Sequence, residues 1–275
     1  MSVRARIVEI TPEIAERLIE AHNQHNRAVR SGVVQRYAED IRAGRWQLNG
    51  EAIKVANDGT VLDGQHRLMG VLEANAPIQT VLVTGLARSA QESMDQGIPR
   101  GFHDVLRLRG EGDPFSLAAA VKMVAHFQRD GIPFAPGFAP SISLQLASAT
   151  LERNPEIRDS LPCGRMFKPW MPVSNMTALH FLMASVDAAD ADAFFNALAG
   201  RAPSGILTPV REHLQAEHQR SDGRREHIKV RTVYVCMAWN AWREQTPLPA
   251  LEWTTRDRFP GIAGLSAPES AFSAV

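Results

Sequence analysis

An α+β domain over residues 1–110, followed by a mostly α-helical domain over residues 111–275, is the architecture this chain predicts. Three observations carry that expectation. The first stretch mixes short alternating runs with amphipathic helical ones, which is the pattern of strands packed by helices. Beyond residue 110 strand signals nearly vanish, and apolar residues recur at helical spacing. At 275 residues and 44% hydrophobic content, the chain also has enough apolar material for a real core.

The elements follow in order. "ARIVEIT" alternates apolar and polar residues and reads as a strand. "TPEIAERLIEAH" supplies Thr11 as an N-cap, Pro12 at the first helical position, and Ile14, Leu18 and Ile19 on one face. After "NQHNRAVRSG" breaks the pattern, Val33, Val34, Tyr37 and Ile41 repeat at helical spacing until Gly44. "EAIKVANDGTVLDG" reads as two short strands joined by the Asn57-Asp58-Gly59 turn. A helix then opens near Gln65 and carries Leu68, Val71 and Leu72, and "PIQTVLVTGL" adds a last strand. Downstream, "FSLAAAVKMVAHFQRD", "SISLQLASATLERN", "SNMTALHFLMASVD", "ADAFFNALAG" and "HIKVRTVYVCMAWNAWREQ" predict five or more helices. The segments "GIPFAPGFAPS" and "LPCGRMFKPWMPVS" between them are rich in Pro and Gly and read as docked loops, while the tail "GLSAPESAFSAV" reads as fraying.

Thirty basic and thirty acidic side chains cancel, so the chain as a whole lacks the basic excess of a nonspecific nucleic-acid binder. A local patch stays open at "PRGFHDVLRLRGEG", where Arg100, Arg107 and Arg109 lie close in sequence. A solvated helix face accounts for the same cluster. The apolar runs Val81–Val83 and Val233–Ala238 fall far short of the ~20 residues a bilayer needs. "MSVRARIVEI" lacks the apolar stretch of a signal peptide, and the expectation is a cytoplasmic protein without a membrane partner. The two cysteines, Cys163 and Cys236, lack the spacing of a zinc or redox motif and read as packing residues.

Polar chemistry concentrates in "LDGQHRL". A turn that leaves a strand at Leu62 and opens a helix at Gln65 aims backbone N–H groups and the positive helix end at one spot, which suits phosphate or carboxylate. Gly64 lets the backbone approach closely, and His66 and Arg67 offer charge-assisted donors. Asp63 conflicts with pure anion binding, because a carboxylate repels phosphate unless it meets a metal or takes a proton from a reacting hydroxyl. The bland alternative makes Asp63 an N-cap, Gln65 and His66 exposed first-turn residues, and Arg67 a partner of Glu73 or solvent. No Gly-x-x-x-x-Gly-Lys or Gly-x-Gly-x-x-Gly motif is present. Asn49 and Glu51 flank Gly50 before a strand, where they either reach an acceptor or metal or simply form a turn. In the helical half, His180 and Met183 read as core, as do Trp239, Asn240 and Trp242, for which base stacking is the alternative.

"GTVLDGQHRLMGVLEANAPIQTVLVTGL" resembles the signature segment of the ParB/sulfiredoxin superfamily, and "NRAVRSGVVQRYAEDIRAGRW" resembles its first box. With "GRWQLNGEAI", "MDQGIPRGFHDVL" and "AWNAWREQ", the chain is similar to uncharacterised ParB-like proteins of bacteriophages and prophages. The resemblance implies a ParB-like nucleotide-binding domain that places a triphosphate at the polar box. Sulfiredoxins carry Cys where this chain has Gln65, and partition clamps carry Glu-Arg-Arg where it has Gln65-His66-Arg67. Serine kinases of the superfamily carry Asp-Gly-His-His-Arg, which differs from "DGQHR" at Gln65 alone.

By that comparison Asp63 and His66 are catalytic, with Asp63 as general base or acceptor-orienting group, and Gly64, Gln65 and Arg67 hold phosphate. The first box adds Asn26, Arg27 and Arg30 as phosphate contacts across the pocket, and "MDQGIPR" adds Asp95 and Arg100 as secondary candidates beside Asn49 and Glu51. The implied activity is an ATP- or NTP-dependent phosphotransferase (kinase) or NTPase. Mg²⁺ would arrive with the nucleotide rather than on a protein site of its own. A hydroxyl on modified phage DNA or a small hydroxyl compound is the implied acceptor, the host cytoplasm the implied setting, and DNA and a second copy the further partner classes. The alternative is a non-catalytic DNA-binding, partition-type regulator with a nucleotide switch. A metal-dependent nuclease ranks behind both, because no cluster of metal-binding carboxylates is visible in the sequence.

Overall fold

The computed structural model describes residues 2–22, 28–94, 101–134, 141–219, 228–254 and 256–266. The protein is α+β, and the chain divides into two compact units, Met1–Arg100 with Gly137–Leu146, and Gly101–Pro136 with Ala147–Val275.

In the first unit the elements come in the predicted order: β1 (Arg4–Ile10), α1 (Pro12–His22), α2 (Ser31–Arg42), β2 (Ala52–Ala56), β3 (Val61–Asp63), α3 (Gln65–Ala74) and β4 (Ile78–Leu86), then a 3-10 turn (Arg88–Ser93). Local chemistry sets the boundaries. Thr11 Oγ1 accepts from the Ile14 N–H at 3.4 Å and caps α1 ahead of Pro12. Gly44, at φ 64, follows α2 in the left-handed conformation that ends helices. Asn57 to Gly59 closes the β2–β3 hairpin, with the Gly59 N–H on the Ala56 carbonyl at 3.1 Å.

The sheet runs β1-β4-β2-β3. β1 is antiparallel to β4 and β3 to β2, while β2 and β4 run parallel, which obliges the chain to cross over between them. The α3 helix makes that crossover, so its first residue is delivered straight from the end of β3. Ile10, Ile53, Val55, Val61 and Ile78 from the strands form one core with Ala15, Ala38, Ile41, Leu68 and Val71 from the three helices. Gly70 lets α2 and α3 close up, since a Cβ there would lie 2.6 Å from Tyr37 Cβ.

The second unit contains α4 (Phe102–Leu108), α5 (Pro114–Asp130), the later part of α6 (Leu144–Arg153), α7 (Leu161–Met166), α8 (Val173–Ala184), α9 (Ala188–Leu198), α10 (Thr208–Gln219) and α11 (Ile228–Glu244), with no strand among its described residues. α4 falls in this unit although the sequence boundary at residue 110 grouped it with the first. Phe167, Phe194, Phe195 and Trp239 are fully buried and meet edge to face, as with Phe194 and Trp239 at 5.4 Å.

One segment corrects the sequence reading. "LPCGRMFKPWMPVS" is expected as a loop, yet Leu161–Met166 is helical. Its glycine is a packing device rather than a breaker: a Cβ on Gly164 would lie 2.2 Å from Thr177 Oγ1 and 2.6 Å from the Val173 carbonyl of α8.

The remaining candidates of the helical half are structural. Trp239 Nε1 donates to the Ala263 carbonyl at 3.1 Å, Asn240 Oδ1 accepts from the Ala263 N–H at 2.8 Å, and Trp242 Nε1 donates to Asp190 at 2.7 Å. His180 is buried between Ser160 Oγ and Asp192 Oδ1, each at 2.9 Å, and Met183 is fully buried. Both cysteines are buried and free, and burial pushes the Cys163 thiol up to about 12, which removes it from thiolate chemistry. The tail residues 267–275 lie outside the described residues.

Candidate functional site

Leu62 and Val61 are buried in the core, so β3 ends against the hydrophobic layer and its next residue, Asp63, stands at the sheet's end. Gly64 follows at φ 102, a conformation that side chains rarely adopt, and turns the chain into α3. A Cβ on Gly64 would lie 2.9 Å from Ile53 Cγ1 and 3.2 Å from its Cα. Gly64→Ala is therefore expected to destabilise the protein by about 2–4 kcal/mol through backbone strain and overpacking together. Chemical denaturation checks this, and a loss within about 0.5 kcal/mol would show that the turn tolerates a side chain.

Gln65, His66 and Arg67 occupy the first turn of α3 and are all buried. The Leu68 N–H closes the first helical bond on the Gly64 carbonyl at 3.0 Å. The N–H groups ahead of it belong to the turn that has no intrahelical carbonyl to meet. This is the positive end of a helix lined by buried polar side chains.

Asp63 Oδ2 accepts from Arg67 Nη2 at 3.2 Å and from Lys54 Nζ at 3.1 Å. The side chains of Asp63 and Arg67 are 12% and 9% exposed, whereas that of Lys54 is 28% exposed. Burial on its own would push the Asp63 carboxyl up. The Arg67 charge, the Lys54 hydrogen bond and charge, and the Gly64 backbone N–H outweigh it and hold the carboxyl below its ordinary 3.8. Arg67 Nη1 is buried without a hydrogen-bond partner among the described residues. A buried orphan guanidinium N–H costs free energy in the free protein and is the kind of group that an incoming anion satisfies.

These facts depart from the bland alternative for the box in three details. Gly64 rather than Asp63 is the cap residue, the first-turn residues are buried rather than exposed, and Arg67 pairs with Asp63. Glu73 pairs instead with Arg42 of α2, in an exposed contact. His66 Nε2 accepts from the Arg30 backbone N–H at 3.1 Å, which ties the start of α2 to the start of α3. Arg30 thus reaches the box through its backbone, and the residue itself is exposed.

Lys54 is the site residue that the sequence reading missed. Val55 faces Val61 across the hairpin, so a regular ladder would set Lys54 opposite Leu62. A bulge between Lys54 and Val55 sets it opposite Asp63. The available signal is a lone charge in "AIKVA": burial of Ile53 and Val55 turns the residue between them away from the core. The site is also braced from the 3-10 turn, where Gln91 Nε2 donates to the Leu62 carbonyl at 3.1 Å.

Asn49 and Glu51 are exposed: Asn49 Oδ1 accepts from the Glu51 N–H at 3.1 Å in an Asx turn, and the Glu51 carbonyl accepts from Thr80 Oγ1 of β4 at 3.2 Å. Asn26, Arg27, Asp95 and Arg100 lie outside the described residues. Arg107 pairs with Asp104 and Arg109 with Glu152. Among the described residues no group of three or more His, Cys, Asp or Glu side chains is placed to hold a metal ion, and no helix is long and apolar enough to cross a membrane.

No protein-family model, curated protein or solved structure matches the chain. The functional reading therefore rests on the residues themselves.

Proposed function

We propose that this protein is a nucleotide-dependent phosphotransferase or NTPase on a ParB/sulfiredoxin-like domain, with phosphate bound at the start of α3. The observation that carries the reading is the buried Asp63–Arg67 pair with Lys54 at its edge and Arg67 Nη1 left without a partner among the described residues. The fold order, strand–helix–helix–strand–strand–helix–strand with a left-handed glycine before the third helix, supports the ParB/sulfiredoxin-like reading.

The donors suit a triphosphate. Arg67 offers a planar fork, Lys54 a mobile point charge, and the first turn of α3 its backbone N–H groups. Mg²⁺ bound to the nucleotide offsets the negative charge that Asp63 and the phosphates would share. In the transfer step the acceptor hydroxyl oxygen forms a bond to the terminal phosphorus. The bond from phosphorus to the bridging oxygen breaks, the nucleoside diphosphate leaves, and Asp63 takes the hydroxyl proton. With water as acceptor the same step is NTP hydrolysis. The acceptor we propose is a small hydroxyl compound or hydroxylated phage DNA.

A partition-type regulator that uses nucleotide as a switch needs the same cations and helix end but has no use for a buried carboxylate among them. The two readings separate on one experiment. The full chain is incubated with Mg²⁺ and each of ATP, GTP, CTP and UTP, with and without free serine and hydroxymethylated DNA as acceptors. Release or transfer of the terminal phosphate is expected with at least one nucleotide. Neither reaction with any of them, together with DNA binding that survives Asp63→Ala, would overturn the enzyme and leave the regulator.

A further inference from the structure

Asp63 is held by two cations of different character. Arg67 comes from the same helical turn, is 9% exposed and is planar and rigid. Lys54 comes from β2, is 28% exposed, and carries a compact charge on a flexible four-carbon stem. These two, with the Gly64 backbone N–H, are the charged and polar groups that face the carboxylate among the described residues. A carboxylate clamped by both is a poor acceptor for a hydroxyl proton. The resting arrangement thus withholds the base that phosphoryl transfer would use.

We infer that Lys54 is an exchangeable partner: a phosphoryl dianion at the start of α3 draws Lys54 off Asp63 and thereby frees the carboxylate to take a proton. The inference rests on the phosphate reading above and adds the step that activates Asp63. At equal distance a dianion attracts the ammonium twice as strongly as a carboxylate does. Arg67 stays on Asp63 with one nitrogen and turns to the anion the buried one that has no partner among the described residues, so the exchange also meets that hydrogen bond. After it, Asp63 has lost one cation and gained a neighbouring anion, and both changes strengthen its hold on a proton. Base activation is thereby tied to an occupied phosphate site.

The test uses inorganic sulfate, a tetrahedral dianion that keeps its charge across the titration, and the full chain labelled with ¹³C at aspartate carboxyls. The Asp63 resonance is assigned by its disappearance in Asp63→Asn. Sulfate binding is followed at the Arg67 guanidinium resonances. Saturating sulfate is expected to move the Asp63 titration to higher pH in the wild-type protein. In Lys54→Met the titration starts higher without sulfate, sulfate moves it less, and sulfate affinity falls about tenfold through loss of one charged contact. Sulfate bound at Arg67 with the wild-type Asp63 titration unmoved, or an equal shift in Lys54→Met, would overturn the exchange and leave the phosphate site standing. Failure of sulfate to perturb Arg67 at all would overturn the phosphate site and the exchange with it.

Discussion

Asp63→Asn is expected to lower turnover by about 10²–10⁴-fold, the usual contribution of a positioned general base, while nucleotide stays bound as tightly or more tightly. The substitution keeps the shape of the side chain and removes its charge. Lys54 Nζ and Arg67 Nη2, now 3.1 and 3.2 Å from Oδ2, would each lose an ionic partner and become more available to phosphate. Binding and chemistry therefore move apart, which nucleotide titration and steady-state kinetics on the same sample detect. Equal losses in both would remove Asp63 from the reaction and make it a structural ion pair. The same variant carries a pH signature. Because the folded-state carboxyl is held below its ordinary 3.8, the pair stabilises the fold above that value, and this contribution is lost as pH falls through the folded pKa. Denaturation across the acid range should accordingly show a flatter fall in Asp63→Asn than in the wild-type protein.

Local chemistry made most of the first unit readable. Thr11 before Pro12, Gly44 after Arg42, and Asn57 to Gly59 between two short strands each act within a few residues, and each boundary lies where its turn or cap demands. The concentration of polar side chains at the start of α3 was legible for the same reason. Two features were not, because they depend on partners distant in sequence or on a break in periodicity. Gly164 looks like a loop residue until Val173 and Thr177 of α8 are seen to need the space of its missing side chain. Lys54 reaches Asp63 through a bulge, and the run "AIKVA", apolar on both sides of its one charge, gives no reason to place one there. His66 shows the converse limit. Its position in the box was readable, but its bond to the Arg30 backbone depends on where the first turn of α2 lies, and that turn is 36 residues away in sequence.

Arg67→Met is the second substitution with a large expected effect, and its two readouts move unequally. Removing one partner of a buried ion pair ordinarily costs about 3–5 kcal/mol, because the other charge is left behind. Here Lys54 remains on Asp63 at 3.1 Å, and the variant also deletes the buried Nη1, which has no partner among the described residues. An unmet buried donor costs about 1–3 kcal/mol, so its removal offsets much of the loss. The net cost to the free protein should be about 2 kcal/mol, the difference between the midpoints of those two ranges. The cost to phosphate binding should be larger, about 100-fold in affinity, because the buried positive charge and the Nη1 donor that meets the anion are both lost. Saturating nucleotide should therefore raise the melting temperature of the wild-type protein and leave that of Arg67→Met nearly unmoved. Arg42→Ala supplies the contrast: Arg42 and Glu73 form an exposed pair, at 50% and 55%, and its loss should cost less than about 1 kcal/mol without touching nucleotide affinity. If Arg67→Met weakened the fold by the full cost of a broken buried pair and left nucleotide affinity intact, the arginine would be a structural brace. The orphaned nitrogen would then need a partner other than phosphate.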